Sequence, residues 1–311
     1  MDEESYRFVE GVWLHKIFKE EQYRSAISYK PRDGDVFVAS YPKCGTNWTH
    51  FIVYNILTRA KPVIHLNEFR RMCPFIDANG SRVAEDPLRT GPIMTHSPLR
   101  VLKRASCAKY IYITRNPYDC ATSYYHFLKG ITPKTTDVSF QRFLSLFLAG
   151  KLVYGDYFDH LLPWYQCRED DNVLFLTYEE MKADTKGQVL KIADFLGREQ
   201  HGAMLRRDET VLSQILDACS LDNMRIVYKD MPIDRTKRSP FLEEASSVQV
   251  SNATQDDDVE MHDSPGFIRK GIVGDWRNHF TLEQMRRTKE WIAKKTEGSD
   301  VMTLWKDCDL P

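Results

Sequence analysis

Four short apolar runs without helical period, at residues 36–39, 92–95, 110–114 and 173–177, punctuate this chain. Between them lie stretches whose apolar positions recur every three or four residues. Apolar runs that do not alternate mark strands covered on both faces, and their succession with helical stretches argues for βαβ units and a parallel sheet. Helices are expected over 46–58, where Trp48, Phe51, Ile52 and Ile56 share a face, and over 119–129, with Pro117 near the first turn and Gly130 behind it. Two more are expected, over 140–149, where Phe140, Phe143, Leu144, Phe147 and Leu148 keep a 3.6 period, and over about 185–196. Thr281-Leu-Glu-Gln284 reads as a capping box opening a last helix through Met285 and Trp291. The implied class is α/β: a single domain over 1–311 with a central, mostly parallel sheet flanked by helices.

The first apolar run turns through Ser40-Tyr-Pro-Lys-Cys-Gly45 into the helix at Thr46. Such a strand–loop–helix, P-loop-kinase-like in outline, is a phosphate-binding element. The free N–H groups at Cys44, Gly45, Thr46 and Asn47, the positive end of the helix, the Thr46 hydroxyl and the Lys43 ammonium would converge on one anion. The lysine precedes the glycine, which is not the Walker A order, so a nucleoside triphosphate is not the first expectation. Lys43, His96, Arg115 and Tyr178 each follow a strand-like run, at the carboxyl ends where open α/β sheets bind ligands.

A formal charge of −1 over 311 residues gives no reason to expect nucleic acid or an anionic membrane as partner. No apolar run is long enough to span a bilayer, and the N-terminus lacks a basic n-region and an apolar h-region, so a cytoplasmic location is expected. Seven cysteines without C-x-x-C or zinc spacing suit reduced thiols and no metal. Between 241 and 265 there are seven acidic residues and no lysine or arginine, the signature of a flexible acidic loop insert.

Tyr41-Pro-Lys-Cys-Gly-Thr-Asn-Trp48 resembles the phosphosulfate-binding loop of the cytosolic sulfotransferases, usually Tyr-Pro-Lys-Ser-Gly-Thr-Thr-Trp. Arg269-Lys-Gly-Ile-Val-Gly-Asp-Trp276 resembles that family's Arg-Lys-Gly-x-x-Gly-Asp-Trp signature, and the segment from Arg115 to Phe127 is similar to a third block between them. The resemblance implies transfer of a sulfuryl group from 3′-phosphoadenosine 5′-phosphosulfate, without a metal, to the hydroxyl or amine of a small acceptor. On that reading Lys43 neutralises the leaving oxygen, while Cys44, Gly45, Thr46 and Asn47 hold the 5′-phosphate. Arg115, Ser123, Arg269, Lys270 and Gly271 hold the 3′-phosphate; Trp48 and Tyr178, with Ser220 and Leu221, frame the adenine. His96, in Met94-Thr-His-Ser-Pro98, resembles the histidine that takes the acceptor's proton, and a group with an ordinary pKa near 6.5 suits that role. Phe75, Phe127 and Met94 would touch the acceptor.

Departures accompany the resemblance: Met94 stands in place of a lysine, Cys219-Ser-Leu221 in place of Thr-Ser-Phe, Asn47 in place of a threonine though it keeps a donor, and Arg286 in place of the glutamate that ends the family's dimer motif. A homodimer by that route is therefore in question. Two other classes stay open, a phosphotransferase using the same loop and an adenine-nucleotide sensor that has lost activity. For the acceptor pocket, Phe18, Tyr23, Phe75, Phe127, Phe143 and Phe147 are the candidate wall, most of them expected to be core, and a phenol, a monoamine or a steroid alcohol would each fit such a wall.

Overall fold

The computed structural model describes residues 6–63, 66–130, 138–229 and 268–311; the acidic insert at 241–265 lies outside them. Four strands, β3 (Val36–Ala39), β4 (Ile93–Thr95), β5 (Lys109–Thr114) and β6 (Val173–Thr177), form one parallel sheet in the order β4-β3-β5-β6. They are the four apolar runs, shifted by at most a residue at an end. Every residue of β3 is buried because side chains of alternating parity enter different cores. Phe37, Ala39, Tyr110 and Tyr112 face one core; Val36, Val38, Ile111 and Ile113 face the other.

The sheet is covered by α1 (Glu20–Ser28), α2 (Thr46–Thr58), α3 (Ile76–Asn79), α4 (Pro117–Gly130), α5 (Phe140–Leu148), α6 (Tyr157–Gln166), α7 (Tyr178–Ala183), α8 (Thr185–Gly197), α9 (Glu209–Ala218), α10 (Leu221–Lys229) and α11 (Leu282–Lys295), with further short helices at Leu66–Met72, Arg82–Glu85 and Ala203–Arg207. The expected capping box is present. Thr281 Oγ1 accepts from Gln284 N at 3.3 Å, and Gln284 Oε1 accepts from Thr281 N at 3.0 Å. The hydrophobic pattern does not anticipate the hairpin β1 (Tyr6–Val9) with β2 (Val12–His15), whose turn places Glu10 and Gly11 at φ 49° and 78°. These strands are too short for the alternation to stand out.

The chain leaves β3 toward β4 on one side and leaves β5 toward β6 on the other, so the carboxyl ends of β3 and β5 flank the point where the winding reverses. The residues that follow these two strands, joined by His96 after β4 and Tyr178 after β6, lie at the site below. Among the described residues no helix is long and apolar enough to cross a membrane, and no cluster of three or more His, Cys, Asp or Glu could hold a metal ion. Around the altered dimer motif, Arg277 donates to Asp309 Oδ2 at 2.8 Å, and Arg286 pairs with Glu283 and Glu290 within its own helix.

Candidate functional site

Between β3 and α2 the backbone takes two left-handed steps, Lys43 at φ 70° and Gly45 at φ 107°. Alternating right- and left-handed residues turn successive N–H groups to one side, which makes an anion-binding hollow at the start of a helix. Gly45 is required twice over. Its φ is strained for any L side chain, and a Cβ there would stand 2.9 Å from the Tyr178 ring and 3.2 Å from Ile113 Cδ1. The Thr46 hydroxyl is buried and lies 2.5 Å from Ser40 Oγ.

Cations gather over this hollow. Lys43 Nζ lies 4.4 Å from the centre of the Phe127 ring. Burial, and then the charges of Arg115 and Arg269, bring its ammonium down to a pKa of about 8. Arg115, buried at the end of β5, stacks 4.4 Å from the Tyr178 ring centre and donates to Ile272 O at 2.8 Å, while its Nε is buried without a hydrogen-bond partner. An unsatisfied guanidinium nitrogen next to a lysine and a second arginine is a place for an anion. Arg269 and Lys270 both engage Asp275, at 2.5 and 2.8 Å. Burial alone would raise Asp275, but hydrogen bonds from Lys270, Asn278 and Arg269 hold it well below the usual carboxylate range.

Asp119 fixes the register of this basic loop, accepting from Gly274 N at 2.7 Å and Trp276 N at 3.0 Å. Glu179 in turn accepts from Asn116 N at 3.0 Å and from Trp305 Nε1 at 2.9 Å. Neither acid was legible in the sequence as a support, because each contacts a partner more than sixty residues away. Trp48 is half-buried; its Nε1 donates to Cys219 O at 3.0 Å and its ring meets Tyr178 edge-on at 5.7 Å. Leu221 lies against Gly271, where a Cβ would come within 2.7 Å of its Cδ1. Ser220 is exposed and caps α10 through Asn223 N, and Ser123 is half-buried two turns into α4. Lys43, Gly45, Trp48, Arg115, Tyr178, Leu221 and the 269–271 loop are thus brought together.

The other half of the site surrounds His96, directly after β4. Its Nδ1 lies 2.9 Å from Ser40 O, and a carbonyl only accepts, so Nδ1 carries the proton and Nε2 is the basic nitrogen. Burial, outweighing the Ser40 hydrogen bond and joined by the nearby Lys43 charge, lowers His96 to about 4. Its ring packs against Phe75 at 5.4 Å and Tyr154 at 5.5 Å, and Phe18 touches both of those rings at 6.1 Å. Met94 is paired with Phe75 across a β-bridge. The remaining wall candidates are displaced: Tyr23 is fully buried beneath the hairpin, and Phe143 and Phe147 belong to the core around Tyr41. Their period along α5 signals packing, which sequence alone does not separate from a pocket lining. Tyr154 and Asp77 are members of the site that the motifs did not reveal.

The chain is similar to known proteins over most of its length. The Sulfotransferase domain family matches residues 33–300. Sulfotransferase 2A1 of Rattus norvegicus is 32% identical, covering 94% of this chain and 96% of its own, and the amine sulfotransferase of Oryctolagus cuniculus is 29% identical over 89% and 85%. The crystal structure of mouse sulfotransferase SULT7A1 complexed with PAP superposes with a TM-score of 0.69 at 28% identity, over 97% of this chain and 98% of that one.

Proposed function

The chain belongs to the sulfotransferase family, and we propose that it transfers a sulfuryl group from 3′-phosphoadenosine 5′-phosphosulfate to the hydroxyl, or amine, of a small acceptor such as a phenol or monoamine, with His96 as general base. The observation that carries this reading is His96 itself. It is neutral, its tautomer is set by Ser40 O, and it sits in an aromatic wall on one side of the Lys43 loop. A neutral imidazole with a free Nε2 can accept a proton from an acceptor hydroxyl as the oxygen attacks sulfur.

Each neighbouring group then has a part. The amides at Cys44 and Gly45, with Thr46 and Asn47, hold the 5′-phosphate at the helix start. Lys43 meets the charge that develops on the leaving oxygen. Arg115, Ser123, Arg269, Lys270 and Gly271 hold the 3′-phosphate, the two 269–270 cations trading their Asp275 partner for it. Trp48, Tyr178, Ser220 and Leu221 bound the adenine, and Phe75, Phe127 and Met94 meet the acceptor. A cytoplasmic setting accompanies this reading. No metal takes part in it.

Labelled donor incubated with phenols and monoamines, using native protein and His96→Ala, tests it. Label should enter a phenol or amine without added metal. His96→Ala should lower kcat by roughly 10²- to 10⁴-fold with affinity for adenosine 3′,5′-bisphosphate unchanged. Retention of most of the activity would remove His96 from the chemistry.

A further inference from the structure

Behind His96 lies a carboxylate that does not reach the reaction space. Asp77 is 1% exposed, in the short helix α3, two residues after the Phe75 ring that packs on His96. Its Oδ2 accepts from the His96 backbone N at 2.8 Å, and its Oδ1 accepts from the Thr95 hydroxyl at 2.6 Å. Thr95 Oγ1 in turn accepts from Ser97 N at 3.0 Å. From the other side, His160 Nε2 donates to His96 O at 3.0 Å while its Nδ1 accepts a hydrogen bond from Tyr112 OH at 2.9 Å. The peptide groups on both sides of the base are therefore pinned. Asp77 also belongs to the segment that carries the Phe75 ring of the wall.

We propose that Asp77 is a positioning residue for this sulfuryl transfer: its carboxylate ties the general base to the Phe75 wall, so that proton acceptor and bound substrate keep one geometry. The inference rests on the reading of His96 as base. An error of about an ångström in such a geometry costs on the order of 100-fold in rate. Both carboxylate oxygens act as acceptors here, so protonating Asp77 would leave either the Thr95 hydroxyl or the His96 amide without its acceptor. The titratable groups that face it are Tyr23 of α1, Tyr154 of the segment before α6, and His96. Burial, only partly offset by the bonds from Thr95 and His96, raises its pKa to about 6. Because His96 titrates near 4, the acid limb of turnover should follow Asp77 and not the base.

A double-mutant cycle with Asp77→Asn and His96→Ala tests the proposal. Asp77→Asn alone should lower kcat about 10- to 100-fold, leave the Kd of adenosine 3′,5′-bisphosphate unchanged, and remove the acid limb near pH 6. In the His96→Ala background the same change should do nothing further, because a positioning residue has no base left to position. Equal losses in both backgrounds would overturn the role of Asp77 while leaving that of His96 standing. Full activity in His96→Ala would reject both readings. Should Asp77→Asn fail to fold, ¹⁵N spectra of the His96 ring in the unaltered protein decide the matter. The ring should remain neutral, with Nδ1 protonated, through the pH range in which turnover falls. Protonation of His96 in step with that fall would assign the limb to the base and overturn the proposal.

Discussion

The donor end and the acceptor end of this site meet at Lys43 and are built on opposite principles. On the proposed reading the working groups at the donor end are main-chain amides and cations held by local geometry: a left-handed lysine, a left-handed glycine and a helix start within four residues. At the proposed acceptor end they are side chains from segments far apart, Phe18, Phe75 and Tyr154, gathered about the His96 imidazole by edge-on and tilted ring contacts. Charge recognition tolerates little variation, since each phosphate needs donors at hydrogen-bond distance. Apolar enclosure can be assembled from many sequences of similar volume. One end of the molecule is accordingly fixed by chemistry and the other by packing.

The sharpest way to break that division is at Lys43. Lys43→Met should lower kcat by about 10²- to 10³-fold, the usual loss when one charge-stabilising donor is removed, and weaken binding of adenosine 3′,5′-bisphosphate far less. The pH dependence carries a sign. Burial, with Arg115 and Arg269 beside it, depresses Lys43 to about 8, so the ammonium is present below that pH and lost as pH rises through it. In the unaltered protein kcat/KM should fall on an alkaline limb near 8. The limb in kcat should lie higher, because the bound donor's negative charge favours the ammonium. Equal losses of rate and product affinity, or an alkaline limb that survives in Lys43→Met, would make Lys43 a plain phosphate anchor.

Arg115 gives an intermediate effect and asks whether the donor end is one site or two. Its guanidinium is oriented by Tyr178 and Ile272 O, and its Nε has no hydrogen-bond partner, so it is prepared for a phosphate before one arrives. Arg115→Ala should cost about 1.5 to 3 kcal/mol of affinity for the 3′-phosphorylated nucleotide, roughly 10- to 150-fold. Adenosine 5′-phosphosulfate, which lacks that phosphate, should bind as before. Parallel losses for both nucleotides would detach Arg115 from the 3′-phosphate.

The same contrast explains what the sequence discloses. The sheet is legible because its strands are covered on both faces, which leaves uninterrupted apolar runs such as Val36–Ala39. The phosphate loop is legible because lysine, glycine and helix start are neighbours in the chain. The β1–β2 hairpin escapes notice because its strands have four residues each, too few for alternation to register. Asp77, Asp119, Glu179 and Tyr154 escape for another reason. Their partners lie from about nineteen to more than a hundred and fifty residues away, and no local pattern marks a buried acid that will find a backbone amide. Phe143 and Phe147 are core, as expected of most of the wall candidates; the 3.6 period along their helix does not say which of the six aromatics those would be.

Leu221 provides the smallest test, because it is a place where the donor end relies on packing. Trp48 is held in orientation by Cys219 O, and two residues later Leu221 rests on Gly271 where an aromatic residue usually stands in this family. Adenine would then meet an indole on one side and an aliphatic side chain on the other. A phenyl ring is flat enough to lie along the glycine backbone, and an offset ring pair is worth about 0.5 to 1.5 kcal/mol beyond the area it buries. Leu221→Phe should therefore tighten adenosine 3′,5′-bisphosphate by roughly 2- to 12-fold. Binding of the corresponding ribose bisphosphate without its base should not change, which separates adenine contact from any shift of the 269–271 loop. Equal tightening of both ligands would mean that the substitution acts by moving Gly271. Weaker binding of both would mean that the space beside Gly271 is already filled and that leucine is the side chain this loop requires.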